Sequence, residues 1–500
     1  MTPANAVAAT TMSAMPDQIS GDTGHHAKAA AAEGSKSAAG SGSGSANKAS
    51  RLNTFVAPSP NRMLIRALDP VNRVLCLGGV PRLRDAPLLR AIPGIKGLTD
   101  VVKIDVPAED MARLERTVND RTAAFLTPNH PEFFTDWMLD KEIMSRIAPM
   151  AACWATHSVV NGMGALAQWF WLKNNLVAQI PGAGGAAGKA YSVDAAMKGR
   201  AVLLHPEGGV GWHGDTVAPL FPGAIEMALE AANRAKATGE QRRVYLVPIV
   251  WKLKFVKDVE PQLASEMGYV ERKLGLMAPR LGSTLVERLS AVYTAMLARD
   301  EAAWGLLSGR GLPYDQRRLA ALAAMHMKLQ ERLAIDGEQS VDGLLRLADR
   351  WLRADEAQPA PAVAEVRRLS ADMRRLLRFW PALYPATELT QEQIAESIKR
   401  LRNDYCSGSW RDAVNRFVPR PAGSRIAYVR VPEAIDVTQW LQASTNSGPE
   451  QAAAGPLERD GVATLTQYLR GRMQAGIDAI NIEIEGRGGV IRYPNPFTVA

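Results

Sequence analysis

The sequence predicts an α/β fold in which a central mixed sheet is flanked by helices, with a large all-helical insertion. Between residues 101 and 255, short apolar runs rich in β-forming residues alternate with helical or glycine-rich segments, which is typical of a sheet covered by helices. From about residue 260 to 418, apolar residues recur at helical spacing alone. Strand-like sequence returns in SRIAYVRVPEAIDV at residues 424–437. The helical region therefore interrupts the strand pattern.

Composition and charge limit the classes of protein that fit this chain. Its 500 residues, 47% of them hydrophobic, can bury one large or two ordinary cores. The three cysteines are far apart and lack the spacing of a zinc site or a disulfide framework, which favours a reducing cytoplasm. The net charge of +8 indicates an anionic partner, but the basic residues form no run dense enough for nucleic-acid binding. We expect anionic lipid headgroups, coenzyme A phosphates or an acidic carrier protein instead.

The first hundred residues contain two segments of contrasting composition. Residues 1–58 are rich in Ala, Gly, Ser and Thr and predict a disordered tail, without the basic and apolar segments of an export signal. Residues 61–96 alternate aliphatic with basic residues. That pattern fits a segment on a membrane surface with its arginines on lipid phosphates. An amphipathic cover over the core fits it equally well.

Short apolar runs predict the strands of the sheet. They are AAFL at 123–126, LVAQI at 176–180, AVLL at 201–204 and VYLVPIV at 244–250. The uncharged stretch 151–171 is long enough to cross a bilayer, but polar residues and glycines interrupt it. We therefore expect a buried or interfacial helix pair there.

Glycines and capping residues mark the other elements. The run PGAGGAAG at 181–188 lacks the Lys-Ser/Thr ending of a P-loop and predicts a mobile loop. Thr284 with Glu287, and Thr390 with Gln393, have the spacing of capping boxes before apolar helical positions. After the returning strand, LTQYLRGRMQAGIDAI predicts a further helix.

Two predicted strands end in residues that can perform acid–base chemistry. The first is followed by TPNHPEFFTD, which places His130 at a strand end, where the chemistry of α/β sheets usually lies. A nearby carboxylate lets a histidine act as a general base, and Asp136 fits that role if a helix begins between the two. Glu132 is the rival acid. The strand AVLL is followed by HPEGGVGWHGD, which places Glu207 and Gly208 in the corresponding position.

These motifs resemble those of the glycerolipid acyltransferases typified by lysophosphatidate acyltransferase. NHPEFFTD is similar to the family's first motif, Asn-His followed by four residues and Asp, and HPEG at 205–208 is similar to its Phe-Pro-Glu-Gly motif. The segment APLFPGAIEMALEA resembles the start of the family's PFKxGA helix, and the Val-Pro of YLVPIV follows in the same order.

The resemblance implies a fold, a reaction and a set of site residues. It implies a glycerolipid acyltransferase-like sheet that transfers a fatty acyl group from acyl-CoA or acyl carrier protein to a hydroxyl, with no metal or other cofactor. His130 would be the general base and Asp136 would orient it. The substrate-binding residues would be Asn129, Glu132, Glu207, Gly208 and Gly209.

The sequence departs from the family's pattern at three places. Thr135 occupies the family's Asp position and Asp136 comes one residue later, which turns a helical side chain by about 100°. The family's second motif usually ends in an Arg near the acceptor phosphate, but the aligned run here is LVAQIPG. The third motif usually continues with Thr-Arg-Ser, but here it continues GVGW. The motifs therefore support an acyl-transfer reaction better than they support glycerol phosphate as its acceptor.

The segment VRVPEAIDV resembles a late strand of the same family, so the helices are expected to be inserted into the acyltransferase domain. The predicted organisation is a tail at 1–58, the first part of the core at 59–260, the helical insertion at 261–420, the returning part of the core at 421–485 and a C-terminal tail at 486–500.

We expect an O-acyltransferase that acts on a lysolipid or glycerolipid acceptor in phospholipid biosynthesis or remodelling. It would be cytoplasmic and peripheral on the inner face of the membrane, and it would not bind nucleic acid. Two alternatives stay open. One is a catalytically degenerate, membrane-associated binding protein. The other is a metal-dependent hydrolase, whose ligands would come from His130, Glu132, His205, Glu207, His213 and Asp215.

The acyl chain requires a long apolar groove. The aromatic residues proposed to line it are Trp154, Trp169, Phe170 and Trp171. Ordinary core or interface packing explains these residues equally well.

Overall fold

A mixed sheet flanked by helices forms the centre of the protein, as the sequence predicts. The computed structural model describes residues 55–77, 98–162, 164–179, 183–276, 282–306, 311–353, 360–378, 384, 386–417, 421–446 and 457–497. Within these residues, no helix is both long and apolar enough to cross a bilayer.

Ten strands occur in the described residues. They are β1 (Val101–Asp105), β2 (Thr122–Pro128), β3 (Ala152–Thr156), β4 (Leu176–Gln179), β5 (Val202–Leu203), β6 (Arg243–Phe255), β7 (Glu388–Thr390), β8 (Arg425–Arg430), β9 (Ile435–Asp436) and β10 (Arg492–Pro494). The central sheet has the order β1-β8-β6-β2-β5-β3-β4, and β9 pairs with β6. Strands β6, β2, β5, β3 and β4 are parallel, whereas β8 and β9 run antiparallel to β6.

The helices before β6 connect and cover the parallel strands. They are α1 (Arg62–Leu77), α2 (Ala108–Thr117), α3 (Thr135–Ile147), α4 (His157–Asn161), α5 (Ala165–Lys173), α6 (Ala183–Met197) and α7 (Gly223–Thr238). The region between β6 and β8 contains α8 (Glu260–Lys273), α9 (Leu285–Ala303), α10 (Tyr314–Leu333), α11 (Val341–Arg353), α12 (Ala360–Arg378), α13 (Gln391–Tyr405) and α14 (Trp410–Phe417). Helices α15 (Val437–Asn446) and α16 (Leu457–Arg487) follow β9.

Two apolar clusters cover the two faces of the sheet. Along β2, Phe125 lies in one cluster and Leu126 in the other, because successive side chains of a strand point to opposite faces. The first cluster includes residues of α6, α7 and α16, and the second includes residues of α2 and α3. Burial on both faces explains why the parallel strands read as continuous apolar runs.

The helical region leaves and re-enters the sheet at adjacent points. Phe255 at the end of β6 is the register partner of Arg425 at the start of β8, and the N–H of Val256 donates to the carbonyl of Ser424 at 2.9 Å. The two predicted capping boxes are present at the starts of α9 and α13. Because the exit and return points are neighbours, the host sheet continues across the interruption.

The region between β6 and β8 is not purely helical, in contrast to the prediction. Its short strand β7 pairs antiparallel with β10, and the N–H of Gln391 donates to the carbonyl of Ile491. The predicted C-terminal tail at 486–500 is therefore attached to this region at residues 491–494. Strand pairs of three residues are too short to detect by periodicity.

Three local predictions need correction. The stretch 151–171 begins with strand β3, and only its later part forms the short helices α4 and α5. The glycine run at 181–188 is helical from Ala183 onward, while residues 181 and 182 lie outside the described residues. The predicted tail at 1–58 lies outside the described residues up to residue 54, but Phe55 packs beside Tyr191. Residues 78–96 of the predicted amphipathic segment also lie outside the described residues.

Candidate active site

His130 and Asp136 meet at the carboxyl end of β2. His130 lies in the loop after the strand, and Asp136 is the second residue of α3. The Nδ1 atom of His130 lies 2.5 Å from Oδ2 of Asp136, and both side chains are largely buried. The structure therefore brings together the two residues that the motif pairs.

The loop between them absorbs the additional residue. Phe134, immediately before α3, has φ 72° and ψ −40°, a conformation that is sparsely populated by residues other than glycine. This local reversal sets the direction in which α3 begins. The five-residue separation therefore remains compatible with a direct contact between His130 and Asp136.

Asn129 holds the loop to the neighbouring strand. Its Nδ2 donates to the carbonyl of Trp251 at 3.0 Å, and its Oδ1 accepts from the N–H of Trp251 at 2.9 Å. Because both side-chain atoms are hydrogen-bonded to the backbone of β6, Asn129 positions the loop that carries His130. That Asn129 also binds substrate stays a prediction.

A second histidine–aspartate pair stacks on the first. The rings of His130 and His205 are 4.2 Å apart at 18°. Nε2 of His205 lies 3.1 Å from Oδ2 of Asp140, and its Nδ1 lies 3.1 Å from the carbonyl oxygen of Asn129. Since both partners can only accept hydrogen bonds when Asp140 is ionised, the geometry favours a doubly protonated His205.

The two histidines have opposite electrostatic environments. Burial opposes a charge on His205, but the hydrogen bond and attraction from Asp140 outweigh it and raise the pKa of His205 to about 9. Burial and the neighbouring charge of His205 lower the pKa of His130, and Asp136 only partly offsets them. These two shifts favour a charged His205 beside a neutral His130, which can accept a proton.

Glu132 is not the acid that serves His130. Its carboxylate accepts two hydrogen bonds from the Arg425 guanidinium, at 2.7 and 3.0 Å, and a third from the hydroxyl of Thr135. This ion pair ties the loop after β2 to the start of β8. The carboxylate is thus engaged by Arg425 and Thr135, and its predicted role in substrate binding stays a prediction.

Glu207 connects the two strand-end loops through backbone hydrogen bonds. Its Oε1 accepts from the N–H of His130 at 2.7 Å and its Oε2 accepts from the N–H of Ala218 at 3.0 Å. Burial raises the pKa of Glu207 to about 7, although both of these hydrogen bonds oppose the shift. Because each oxygen accepts a backbone hydrogen bond, Glu207 shapes the cleft. Its predicted contact with the acceptor stays a prediction.

The glycines after Glu207 belong to the same loop. Gly208 has φ +69°, and a Cβ atom there would lie 2.4 Å from the ring of Phe221. A larger residue would therefore be strained both in its backbone and in its packing. Gly209 follows it and is partly exposed, and the backbone N–H of Gly211 donates to the carbonyl of His130 at 3.0 Å.

Helix α13 supports this loop from the far side. Nη1 of Arg400 donates to the carbonyl of Trp212 at 2.9 Å, and Nε2 of Gln393 donates to Oδ2 of Asp215 at 2.9 Å. Asp215 also pairs with Lys252 of β6. The helical region thus contacts the site, a role that the sequence pattern did not indicate.

Two of the six predicted metal ligands, His130 and His205, lie together with Asp136, which was not in the predicted set. Possible ligand atoms of His130, Asp136 and His205 lie within 4.8 Å of one another. The carboxylates of Glu132 and Glu207 are bound to Arg425 and to backbone N–H groups, as described above. The six-residue ligand set of the hydrolase hypothesis is therefore not assembled.

The four aromatic residues proposed for an acyl groove differ in their surroundings. Nε1 of Trp154 donates to Ser192 at 2.9 Å, and the ring packs against the first core cluster. Phe170 and Trp171 contact each other edge to face at 4.9 Å. Trp169 is exposed on α5. The shared lining of an acyl groove stays a prediction.

Comparison of the sequence with protein-family models and with curated protein sequences found no match. The grounds for a function are thus the geometry of this site and the resemblance of its motifs.

Proposed function

We propose that this protein is an O-acyltransferase in which His130 deprotonates the acceptor hydroxyl. The observation that carries the proposal is the 2.5 Å contact between Nδ1 of His130 and Asp136 at the carboxyl end of a parallel strand. With Nδ1 held by the carboxylate, Nε2 of a neutral imidazole is left to accept a proton. We also propose that the α/β sheet has the fold of the glycerolipid acyltransferases.

The reaction follows from this arrangement. The acceptor hydroxyl transfers its proton to Nε2 of His130 as its oxygen attacks the thioester carbonyl of acyl-CoA or acyl-carrier protein. The carbon–sulfur bond then breaks, and the proton passes from His130 to the departing sulfur. Asp136 stabilises the imidazolium that exists between these steps.

His205 and Asp140 keep the base in its working form. A cationic ring stacked at 4.2 Å disfavours a second charge on His130 and so keeps it neutral at physiological pH. The same stack fixes the plane of the His130 ring. His205 acts through His130, so it is a positioning residue.

The acceptor in this proposal is the hydroxyl of a lysolipid or glycerolipid. The motif resemblance supports this substrate class, and the net charge of +8 suits a peripheral location at the anionic inner face of the membrane. Acyl-CoA and acyl carrier protein are both suitable donors, because each is an anionic thioester.

A direct assay tests the proposal. Purified protein is incubated with acyl-CoA and a mixture of lysolipids, and both free thiol and acylated lipid are measured. Equal amounts of the two products are expected, and His130→Gln should reduce both by about 10²- to 10⁴-fold. His326→Gln, in α10 of the helical region, is the control and should retain activity. Full turnover by His130→Gln would contradict the proposal.

A metal-dependent hydrolase is the second candidate, because possible ligand atoms of His130, Asp136 and His205 lie within 4.8 Å of one another. It would release free fatty acid without an acceptor, and a chelator would abolish this release. Acyltransfer that continues in the presence of the chelator would exclude it.

A further inference from the structure

Helix α5 exposes an unusual amount of apolar surface. Its sequence, ALAQWFWLK, is apolar apart from Gln168 and Lys173, yet none of its residues is buried. Leu166 is 79% exposed and Trp169 is 52% exposed. A helix that is apolar all round normally lies inside a protein or in a membrane, so this exposure indicates an interaction surface.

Helix α1 extends this surface and adds positive charge. The N–H groups of Ser59 and Asn61 donate to the carbonyls at the end of α5, at 3.1 and 2.9 Å, and Asn61 also caps the start of α1. Met63, in the first turn, is 83% exposed. Of its three arginines, Arg73 pairs with Glu142. Arg62 and Arg66 outnumber the one acidic residue of the helix, Asp69, so the combined surface is apolar and basic.

Helix α5 begins after the edge of the sheet that carries the candidate active site and ends before the start of β4. Helices α4 and α5 follow the carboxyl end of β3, which runs parallel to β5 and β2. Trp137, the residue after Asp136, contacts Trp171 of α5 edge to face at 6.2 Å. A bilayer against α5 would therefore lie beside the helix that carries Asp136.

We propose that α5 together with the exposed face of α1 is a docking surface for an anionic lipid bilayer. Leu166 and Trp169 enter the boundary between headgroups and acyl chains, while Arg62 and Arg66 contact lipid phosphates. The adjoining arginines favour an anionic lipid over a second copy of this basic chain. The statement that the docked lipid supplies the acyl acceptor rests on the proposed function. The binding of the protein to vesicles does not depend on that function.

The experiment measures co-sedimentation of the full-length protein with vesicles. Phosphatidylcholine vesicles are compared with vesicles that also contain phosphatidylglycerol, and binding should be stronger to the second kind. Replacing Leu166 and Trp169 together by serine should weaken binding by about tenfold or more. The matched control replaces Ile482 and Trp410, each 74% exposed, by serine and should bind as the unmodified protein does.

A second variant tests the electrostatic part. Arg62→Gln combined with Arg66→Gln should weaken binding to anionic vesicles, and the loss should shrink at high salt because screening already removes that attraction. His130→Gln should bind vesicles normally, which separates this inference from the proposed reaction.

Three results would overturn the inference. The first is no vesicle binding by the unmodified protein, and the second is equal loss of binding in the Ile482/Trp410 control. The third is a dimer in sedimentation velocity that the Leu166/Trp169 variant abolishes, because the surface would then be occupied by a second copy. Unchanged thermal unfolding of the serine variants would exclude misfolding as the cause of lost binding.

Discussion

At the scale of single residues, some side-chain contacts of the candidate site can be predicted from the sequence and others cannot. The pairing of His130 with Asp136 was predictable because both belong to one short motif. The stacking of His205 and the binding of Glu132 by Arg425 were not, since they join residues from separate strands. Spacing along the chain describes local neighbours only, and tertiary packing determines the others.

Asp136 and Glu132 should have separable effects. Asp136→Asn keeps the shape but removes the charge that stabilises the imidazolium, so kcat should fall by orders of magnitude with little change in Tm. Glu132→Gln leaves the buried Arg425 without its bidentate partner and should lower stability by about 1–3 kcal/mol. Steady-state kinetics and thermal unfolding of both variants measure this. Loss of kcat in Glu132→Gln alone would reverse the two assignments.

The pH dependence of activity should report the charge on His205. His130 works in its neutral form, so kcat/KM should rise with pH through the lowered pKa of His130, below the ordinary value of 6.5. His205→Phe keeps a stacked ring but removes the cation. The imidazolium of His130 is then less disfavoured, so the pKa of His130 rises and the acid limb moves to higher pH.

The measurement is kcat/KM from about pH 5 to 9 for both proteins. His326→Phe serves as the control and should leave the profile unchanged. An acid limb that stays in place in His205→Phe would mean that His205 carries no charge or has no electrostatic effect on His130.

At the scale of secondary-structure elements, the site consists of two loops fixed between three strands. Asn129 continues the pairing of β2 with β6 through its side chain, and Glu207 joins the loop after β5 to the loop after β2. The sequence predicted that these loops share a cleft from the rule for parallel strands. The sequence did not predict that Asn129 and Glu207 would hold the loops in place through hydrogen bonds to the backbone. The backbone partners of a side chain cannot be inferred from the sequence pattern.

Glu207→Gln should weaken the connection between the loops. Each carboxylate oxygen accepts a hydrogen bond from one partly buried backbone N–H. In the glutamine variant an NH₂ group, which cannot accept, would face one of these two N–H groups. We expect a loss of about 1–3 kcal/mol in the free energy of unfolding, measured by denaturant titration. Glu226→Gln, at an exposed ion pair with Lys189, should change stability by about 0.5 kcal/mol or less. Equal effects of the two variants would contradict a structural role for Glu207.

At the scale of the whole molecule, the helical region is topologically separate but in contact with the site. The sequence indicated the interruption because strand pattern stops near residue 255 and resumes near 425, and these points are register partners. The contacts of Arg400 and Gln393 with the loop after β5 could not be predicted, since they depend on how α13 packs.

Replacing residues 262–418 by a short Gly-Ser linker should therefore separate folding from activity. Among the described residues, neither apolar cluster on the sheet includes a member of this region, so the shortened protein should still unfold cooperatively. It should lose most activity, because the loop at 205–215 loses its contacts with Arg400 and Gln393. Thermal unfolding and the acyltransfer assay measure the two properties.

A point variant in the full-length chain distinguishes loss of these contacts from gross damage. Arg400→Met removes the hydrogen bonds to the carbonyl of Trp212 and to the hydroxyl of Tyr384 while leaving the helices in place. Activity should fall in this variant too, with unfolding still cooperative. Retained activity in both proteins would show that α13 does not support the loop, and absence of cooperative unfolding in the shortened protein would show that the helices are integral to the sheet domain.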